Sequence, residues 1–488
     1  MLFSSMVFLW IFLPVVIIGN GLLTRLPFSD EKRKTRCKNI FLLICSVFFY
    51  AWGGIYYILI MLGVIVLDFL GAYRVSRQKG ARRKAMLAVT ILLNLLILFF
   101  FKYFNMLVAM VETVMSWHSG TLQDRFLVEL FSLEGTGALG IEKIVLPIGI
   151  SFFTFQAMSY VVDVYRDTVP PQTNILDFAL YISLFPQLIA GPIVQYSDIA
   201  AALNHRNESM EDFLEGVRRF CYGLGKKVLI SNTLGNTADH IWAIETNELG
   251  AGLAWLGMLS YTLQIYYDFS GYSDMAIGLG RMLGFKWKEN FDYPYTSLSI
   301  QEFWRRWHIS LSSWFKNYVY IPLGGNRKGM AATCRNLVIV FLLTGIWHGA
   351  NFTFIFWGLM YAVLLVAERL FLGRFLQKNP LKILNWIYTM FFVMIGWVFF
   401  RSDNLVMARR YIRQLFCFGT SEYSVLSYLS MQVILALVLG ILGMGFVQRA
   451  FRKKPRFRGS FAVQIAILVL SILFIAAGTY NPFIYFQF

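Results

Sequence analysis

One long uncharged stretch limits what this chain can fold into. Residues 336–367 contain no Asp, Glu, Lys or Arg, and their only histidine is His348. As a single helix the stretch would be roughly 48 Å long, which exceeds the ~30 Å hydrocarbon core of a bilayer. Gly345 and Gly349 bracket the histidine, and basic residues flank both ends of the stretch. We therefore expect two helices that meet at a bend near His348, with both outer ends on the cytoplasmic side.

His348 would lie deep in the membrane at this bend. It follows Arg335 by 348 − 335 = 13 residues, or about 20 Å of helical rise. An ionisable side chain at that depth is a candidate functional residue, and an imidazole suits the role of a general base in a tunnel. The alternative is a core histidine that is hydrogen-bonded to a neighbouring helix.

The composition indicates a membrane protein built from helices. The chain of 488 residues is 57% hydrophobic and 15% charged, whereas soluble domains carry about a quarter charged residues. Its apolar runs are long and continuous, unlike the short alternating strands of outer-membrane barrels. The net charge of +17 comes from basic residues in short loops, which is typical of cytoplasmic loops and argues against nucleic-acid binding. Five scattered cysteines without a CxxC pattern predict neither a disulfide framework nor a metal site.

Clusters of Lys and Arg predict which loops face the cytoplasm. Three such clusters lie within residues 25–38, 74–84 and 449–458. Between the first two clusters we expect a pair of apolar helices, near 39–53 and 55–73, that cross the membrane out and back.

The same orientation predicts on which side of the membrane other segments lie. Residues 117–142 contain four acidic residues against a single arginine and suit the outer face, and the apolar run 461–477 would carry the C-terminus outside the cell. Residues 401–424 should also be external although they contain four arginines, so we expect an amphipathic helix at the membrane interface there. The apolar run 6–23 lacks a basic n-region and a clear cleavage site, and we interpret it as a retained span.

Residues 145–325 differ in character from the rest of the chain. They alternate apolar stretches with Pro, Gly and isolated charges, so they are too polar for lipid-facing helices. Broken and re-entrant helices are tolerated at membrane depth only where protein or a cavity surrounds them. We expect an all-α polytopic membrane protein that forms one domain over 1–488. Its outer helices would lie roughly in 1–140 and 380–480, around a core at roughly 145–370.

A second candidate, His308, lies in the sequence EFWRRWHISLSSWF. Arg305 or Arg306 could bind an anionic donor, while His308 orients or protonates near an acyl carbonyl. The alternative is a juxtamembrane amphipathic helix with a tryptophan belt and a basic face.

Two further segments carry polar groups that need an explanation. Asp268 and Asp274 lie in one apolar run, and for Asp274 we favour structural pairing, with Arg281 the nearest cation on the same segment. The C-terminal residues 482–488 read PFIYFQF. They suit an aromatic anchor at the membrane interface, but the phenol of Tyr485 could also carry an acyl group as a nucleophile.

Several blocks resemble the membrane-bound O-acyltransferases, specifically the bacterial alginate O-acetyltransferase (AlgI-type) branch. In chain order and spacing these blocks agree with the family, and they cover residues 146–166, 185–195, 267–285, 289–325 and 344–358. The resemblance implies a ring of about 11 or more transmembrane helices around a central funnel and tunnel.

The resemblance also implies roles for individual residues. His348 corresponds to the family's catalytic histidine, and His308 to a second active-site position 348 − 308 = 40 residues upstream. The residues expected to bind donor or substrate are Trp304, Arg305, Arg306, Trp307 and Asn351. The family moves an acyl group from a cytoplasmic thioester towards an acceptor on the far side of the membrane.

We therefore expect an O-acyltransferase of the bacterial cytoplasmic membrane that serves O-acetylation of an exported cell-surface polysaccharide. Acetyl-CoA is the expected donor substrate, without a bound cofactor or metal. The tail FIYFQF (483–488) resembles the C-terminal motif of a small membrane peptide in teichoic-acid D-alanylation systems. That resemblance implies a relay in which Tyr485 receives the acetyl group and an extracytoplasmic partner of the SGNH-hydrolase-like class passes it on.

Two alternatives stay open at this point. One is a D-alanyl transferase fed by a carrier protein, against which the built-in tail argues. The other, from a different class, is a proton-coupled transporter that uses His348 and His308 as a proton relay. Many transporters contain repeated halves, and none is visible in the sequence.

Overall fold

The fold was obtained as a computed structural model that describes residues 1–28, 30–118, 146–189, 191–419, 421–446, 461–478, 480–482 and 484. Within these ranges the chain forms helices joined by turns and short loops, and no strand occurs there. The first half contains α1 (Phe8–Arg25), α2 (Glu31–Ala51), α3 (Ile55–Arg77), α4 (Gly80–His118), α5 (Ile150–Tyr165), α6 (Ile175–Ser183), α7 (Phe185–Leu188), α8 (Tyr196–Asn204), α9 (Met210–Gly225), α10 (Asn232–Trp242) and α11 (Ala251–Met282).

The second half contains α12 (Ile300–Arg306), α13 (Ile309–Phe315), α14 (Met330–His348), α15 (Phe352–Ala367), α16 (Gly373–Lys378), α17 (Lys382–Arg401), α18 (Leu405–Gln414), α19 (Met431–Leu442) and α20 (Phe461–Ala476). Wide π-helical turns join α9 to α10 (Lys226–Ser231), follow α13 (Lys316–Tyr320) and join α15 to α16 (Glu368–Leu372).

Six helices among the described residues are long and apolar enough to cross a bilayer: α1, α3, α4 to Val108, α14, the continuous α15–α16 unit and α17. Shorter apolar helices, α19 and α20, accompany them. Large apolar side chains such as Leu59 and Val363 are about two-thirds exposed on these helices, as expected for surfaces that face lipid. The prediction of an all-helical, multi-pass membrane protein is confirmed.

The uncharged stretch folds as the predicted bend. Helix α14 ends at His348, and α15 begins at Phe352 after a cap in which the Asn351 side chain accepts from the Thr353 backbone N–H. The two helices pack side by side, and their backbones lie very close together. A Cβ atom on Gly345 would lie 2.4 Å from the Phe354 carbonyl oxygen, so only glycine permits this approach.

The centre of the fold is the buried helix α11, against which α9 and α10 pack. A Cβ atom on Gly223 would lie 2.6 Å from the Gly271 carbonyl oxygen, and one on Gly216 would lie 2.6 Å from that of Gly278. These small residues let the backbones of α9 and α11 approach closely, as at other membrane-helix interfaces. Polar side chains on α11 are thereby held inside the protein, away from lipid.

The arginine-containing segment after α17 is also helical. On α18, Ala408 and Tyr411 are buried, whereas Arg409, Arg410 and Arg413 are exposed. The helix is therefore amphipathic, as the sequence predicts. Its position at a membrane interface stays a prediction, and most of the acidic segment 117–142 lies outside the described residues.

Candidate active site

His348 is the last residue of α14 and lies in a box of aromatic rings. Its ring centroid lies 4.9 Å from that of Trp347, 5.0 Å from that of Phe400 and 5.1 Å from that of Trp357. The side chain is 7% exposed, and it lines a cavity of about 290 Å³. We call this the outer cavity; its polar or aromatic lining includes Tyr57, Lys102, Ser151, Phe152, Trp347 and His348.

Lys102 and Tyr103 on α4 hold the end of the helix that carries His348. Lys102 Nζ donates to the Trp347 carbonyl oxygen, and the Tyr103 hydroxyl donates to the Ile346 carbonyl oxygen. The last carbonyls of a helix have no donor within the helix, and a cation at this end is favoured by the helix dipole. These two side chains therefore fix the position of the imidazole, and Lys102 places its amino group in the lining of the outer cavity.

His308 lies between α12 and α13 in a left-handed backbone conformation with φ of 45°. Its side chain is 1% exposed and contacts the ring of Phe269 edge-on, with 4.6 Å between the ring centroids. Burial lowers the pKa of His308 to about 3. Because this pKa lies far below neutral pH, the imidazole is uncharged there.

Asn290, which the sequence pattern does not single out, orients the ring of His308. Its Oδ1 lies 3.2 Å from His308 Nδ1 and accepts from the backbone N–H (3.2 Å) and hydroxyl (2.9 Å) of Ser310. The backbone N–H of Ser310 can only donate, so it assigns the orientation of the amide, and Nδ2 then donates to Ser273 Oγ over 3.0 Å. Nδ1 of His308 therefore carries the hydrogen and donates to Asn290, while Nε2 has no partner among the described residues. The free lone pair at Nε2 is the one available for chemistry.

The two histidines meet at Trp347. The Trp347 ring centroid lies 6.3 Å from that of His308 and 4.9 Å from that of His348. Phe152, another outer-cavity residue, lies 6.3 Å from His308 between centroids. Helix α14 packs against α5 and α13. His308 and His348, which are 40 positions apart in the sequence, therefore lie close together.

A second, larger cavity of about 740 Å³ lies on the Asn290 side of His308. We call it the inner cavity; its lining includes Arg219, Lys226, Ser273, Asp274 and Asn290. Asp274 binds Arg219 (2.9 Å) and Lys226 (2.6 Å) across the cavity wall. The prediction that Asp274 is structurally paired is confirmed. Its partners are not Arg281 but Arg219 of α9 and Lys226 of the turn that follows α9, because α9 packs directly against α11.

The two cavities open towards opposite ends of the helices. The outer cavity includes Gly53 at the α2–α3 turn, at the far end of α3 from its basic terminus at Arg77. The inner cavity includes Gln464 near the start of α20, which follows the basic cluster 449–458. If basic loops mark the cytoplasmic side, as the sequence predicts, the inner cavity would face the cytoplasm and the outer cavity the opposite side; this orientation stays a prediction.

The C-terminal tail turns back into the protein. The Ile484 backbone N–H donates to Asp268 Oδ2 over 2.9 Å, and Lys227 Nζ donates to the Pro482 carbonyl oxygen. Lys227 and Asp268 form an ion pair of 2.6 Å in which both side chains are no more than 2% exposed. Tyr485 itself lies outside the described residues. The residue before it is thus anchored to α11, one position along the helix from Phe269, the ring that contacts His308.

The start of the chain also contacts this tail. Asn481 Nδ2 donates to the Ser4 carbonyl oxygen over 3.0 Å, and the Ser4 hydroxyl donates to Asn481 Oδ1 over 3.1 Å. Asn232 Nδ2 donates to the same Oδ1 over 3.1 Å. The tail is therefore tied both to the N-terminal segment and to α10.

The remaining predicted residues lie in four different environments. Arg306 is paired with Asp292 (3.1 Å) and Glu302 (2.8 Å), and Asn351 caps α15 and donates to the Asp403 carbonyl oxygen over 2.6 Å. Trp307 is buried among aromatic rings, with 4.8 Å between its centroid and that of Trp397. Trp304 and Arg305 line a separate cavity between α13 and α14. These five side chains are not brought together in a single site.

The arrangement supplies the parts needed for acyl transfer. It contains an uncharged imidazole with a free nitrogen at His308, a second buried imidazole at His348, and a cation at Lys102. Such groups can accept a hydroxyl proton and stabilise the charge that develops on an acyl carbonyl oxygen. The described part of the chain holds no group of three or more His, Cys, Asp or Glu side chains with metal-binding geometry.

Comparison with known proteins agrees with this chemistry. The membrane-bound O-acyltransferase (MBOAT) family pattern matches residues 168–408. A "probable alginate O-acetylase AlgI" from Pseudomonas putida is 40% identical and covers 100% of both chains. A "peptidoglycan O-acetyltransferase" from Helicobacter pylori is 35% identical over 85% of this chain and 79% of its own. A "teichoic acid D-alanyltransferase" from Bacillus subtilis is 29% identical over 46% of this chain and 59% of its own. The chain therefore belongs to the membrane-bound O-acyltransferase family, and it is an O-acyltransferase.

Proposed function

We propose that this enzyme moves an acetyl group from a cytoplasmic thioester across the membrane for O-acetylation of an exported polysaccharide. The observation that carries the proposal is the convergence of His308 and His348 at Trp347, between the inner and outer cavities. An acyl carbonyl held at this point can be reached from the inner cavity and from the outer cavity, while the surrounding aromatic rings exclude bulk water. The P. putida and H. pylori relatives, named for O-acetylation of alginate and peptidoglycan, support this acceptor class.

The chemical step needs no bound cofactor. A thioester such as acetyl-CoA enters from the inner cavity, and an acceptor hydroxyl attacks its carbonyl carbon. The C–O bond forms as the C–S bond breaks, and the hydroxyl proton passes to an imidazole and then to the departing thiolate. We assign the role of base to His348, while the lone pair at His308 Nε2 accepts a hydrogen bond from the acceptor hydroxyl and orients it, and Lys102 stabilises the acyl carbonyl oxygen.

Tyr485 is the proposed first acceptor. The anchoring of Ile484 to Asp268 supports this role, because it holds the residue before Tyr485 against α11, the helix whose Phe269 contacts His308. An extracytoplasmic partner of the SGNH-hydrolase-like class then transfers the acetyl group to a polysaccharide hydroxyl. This scheme requires an extracytoplasmic C-terminus in the bacterial cytoplasmic membrane.

D-alanyl transfer is the second candidate, since D-alanyltransferases are also among the relatives. Those relatives match about half of the chain, whereas the O-acetylase relatives match all or most of it. This difference favours acetyl as the transferred group.

The test is acyl transfer by the purified full-length enzyme in liposomes supplied with radiolabelled acetyl-CoA. We expect release of CoA and labelling of the protein, both lost about 100-fold or more in His348→Gln and His308→Gln. His205→Gln, which changes an exposed histidine, is the matched control and should retain full activity. Wild-type turnover of a D-alanyl-carrier thioester but not of acetyl-CoA would overturn the assignment of the donor. Full polysaccharide acetylation in cells with Tyr485→Phe at normal protein levels would overturn the relay.

A further inference from the structure

A third cavity lies away from both histidines, between α13 and the paired helices α14 and α15. It has a volume of about 320 Å³. Three basic side chains line it, Arg305, Lys316 and Arg369, and all three are exposed. We call it the basic cavity. It lies at the end of the α14–α15 pair where α14 begins and α15 ends, next to the basic residues that mark the cytoplasmic side.

The positive charge of this cavity is not neutralised by the protein. Among the residues that the structure describes, Arg305, Lys316 and Arg369 form no ion pair. The one acidic lining residue, Glu368, is engaged elsewhere, because its carboxylate accepts from the backbone N–H groups of Ile300 (2.7 Å) and Gln301 (2.9 Å). The rim of the cavity is therefore a preformed site for an anion.

The walls below this rim are apolar. Leu337, Val340 and Phe341 of α14 line the cavity and are partly exposed, and Leu365 of α15 closes its inner side. Both helices are among those long and apolar enough to span a bilayer. The cavity thus continues from a cationic rim into a surface suited to hydrocarbon chains.

One buried hydrogen-bond donor in the cavity also lacks an acceptor. Trp304 is 8% exposed, lines the cavity, and has no partner for its indole N–H among the described residues. A buried polar group without a partner costs free energy. An occupant with an acceptor oxygen below its anionic group would satisfy this donor.

We propose that the basic cavity binds an anionic phospholipid of the cytoplasmic leaflet. The phosphate meets Arg305, Lys316 and Arg369, an acyl ester carbonyl accepts from the Trp304 N–H, and a hydrocarbon chain lies along α14. Basic pockets between membrane helices on the cytoplasmic side commonly bind such lipids. A glycerophospholipid carries an anion, an ester and a hydrocarbon chain in the same order from rim to wall.

The test uses native mass spectrometry of the delipidated full-length chain titrated with phosphatidylglycerol or with phosphatidylcholine of the same chains. We expect one tightly bound phosphatidylglycerol in the wild type, and binding about 30-fold weaker or more in the triple variant Arg305→Gln, Lys316→Gln, Arg369→Gln. The matched control changes three exposed arginines of α18, Arg409→Gln, Arg410→Gln and Arg413→Gln, and should bind as the wild type does. Equal loss in both triple variants, equal binding of the two lipids, or one-for-one displacement by acetyl-CoA would each overturn the proposal.

A second comparison isolates Trp304. The wild type should bind ester-linked phosphatidylglycerol several-fold more tightly than its ether-linked analogue, which lacks the carbonyl groups. Trp304→Phe keeps an aromatic ring and removes the N–H, so it should abolish this preference while ether-lipid binding is unchanged. A wild type that does not distinguish the two lipids would overturn the assignment of the carbonyl contact.

Discussion

Lys102 on α4 donates a hydrogen bond to the carbonyl oxygen of Trp347, the residue that precedes His348. A cation on one helix thereby caps the end of another helix that carries the proposed base. We found no acidic partner for Lys102 among the described residues, so its charge is directed at this helix end and at the outer cavity.

Lys102 and Tyr103 of α4 both donate hydrogen bonds to the end of α14, so removing either side chain should affect activity. Lys102→Met and Tyr103→Phe should each lower kcat about 10- to 100-fold, because a small displacement of His348 costs much of the rate. KM for the thioester should change little, since the inner cavity is untouched, and Lys102→Arg should recover part of kcat. Lys84→Met, which changes an exposed lysine of the same helix, serves as the control. A rise in KM without a change in kcat would contradict the positioning role.

Asn290→Asp should make the activity depend on pH. A carboxylate beside Nδ1 stabilises the protonated ring, so the pKa of His308 rises from about 3. Below the raised pKa the ring is charged and Nε2 has no free lone pair, so activity should fall as the pH is lowered. Activity assays from pH 5 to 8 check this, with Asn204→Asp on the surface as the control. Identical pH profiles for Asn290→Asp and the wild type would show that Asn290 does not control the charge of His308.

Two adjacent lysines should differ sharply in their contribution to stability. Lys227 and its partner Asp268 are buried, whereas Lys226 is 31% exposed in its pair with Asp274. Lys227→Met leaves a buried carboxylate without its cation and should lower the free energy of unfolding by about 3–5 kcal/mol. Lys226→Met should cost about 0–1 kcal/mol. Thermal unfolding in detergent measures both, and the double variant Lys227→Met, Asp268→Asn should recover part of the loss. Equal destabilisation by the two single variants would contradict the assigned burial.

Gly345→Ala should destabilise the pair of helices that presents His348. The added methyl group would meet the Phe354 carbonyl oxygen at 2.4 Å, so the two backbones must move apart, at a cost of about 1–3 kcal/mol. Gly63→Ala on α3 meets nothing within 4 Å and is the control. Unfolding temperatures of the two variants should therefore differ, and the Gly345 variant should also lose activity. Equal temperatures would mean that the close approach does not support the fold.

The sequence was sufficient to predict the bend at His348, because uncharged residues and flanking glycines are local features. It also selected His308 and His348, which the structure places on either side of Trp347, while their catalytic roles stay predictions. Lys102 could have been found by the same reasoning, since it is an isolated charge in the apolar sequence LILFFFKYFNMLVAM. Asn290 could not, because its role depends on the left-handed turn that brings His308 back against it. The partners of Asp274 were missed for a similar reason: they lie on another helix, and sequence distance does not measure separation across a helix interface.

The link between Ser4 and Asn481 has a consequence for biosynthesis. Helix α1 is made and inserted first, yet the polar groups that precede it find their partners only after almost the whole chain has been translated. The first segments must therefore remain in the membrane without these contacts until the tail has been made. We expect assembly of this protein to finish after translation, and this waiting period is the stage at which membrane chaperones or proteases can act on it.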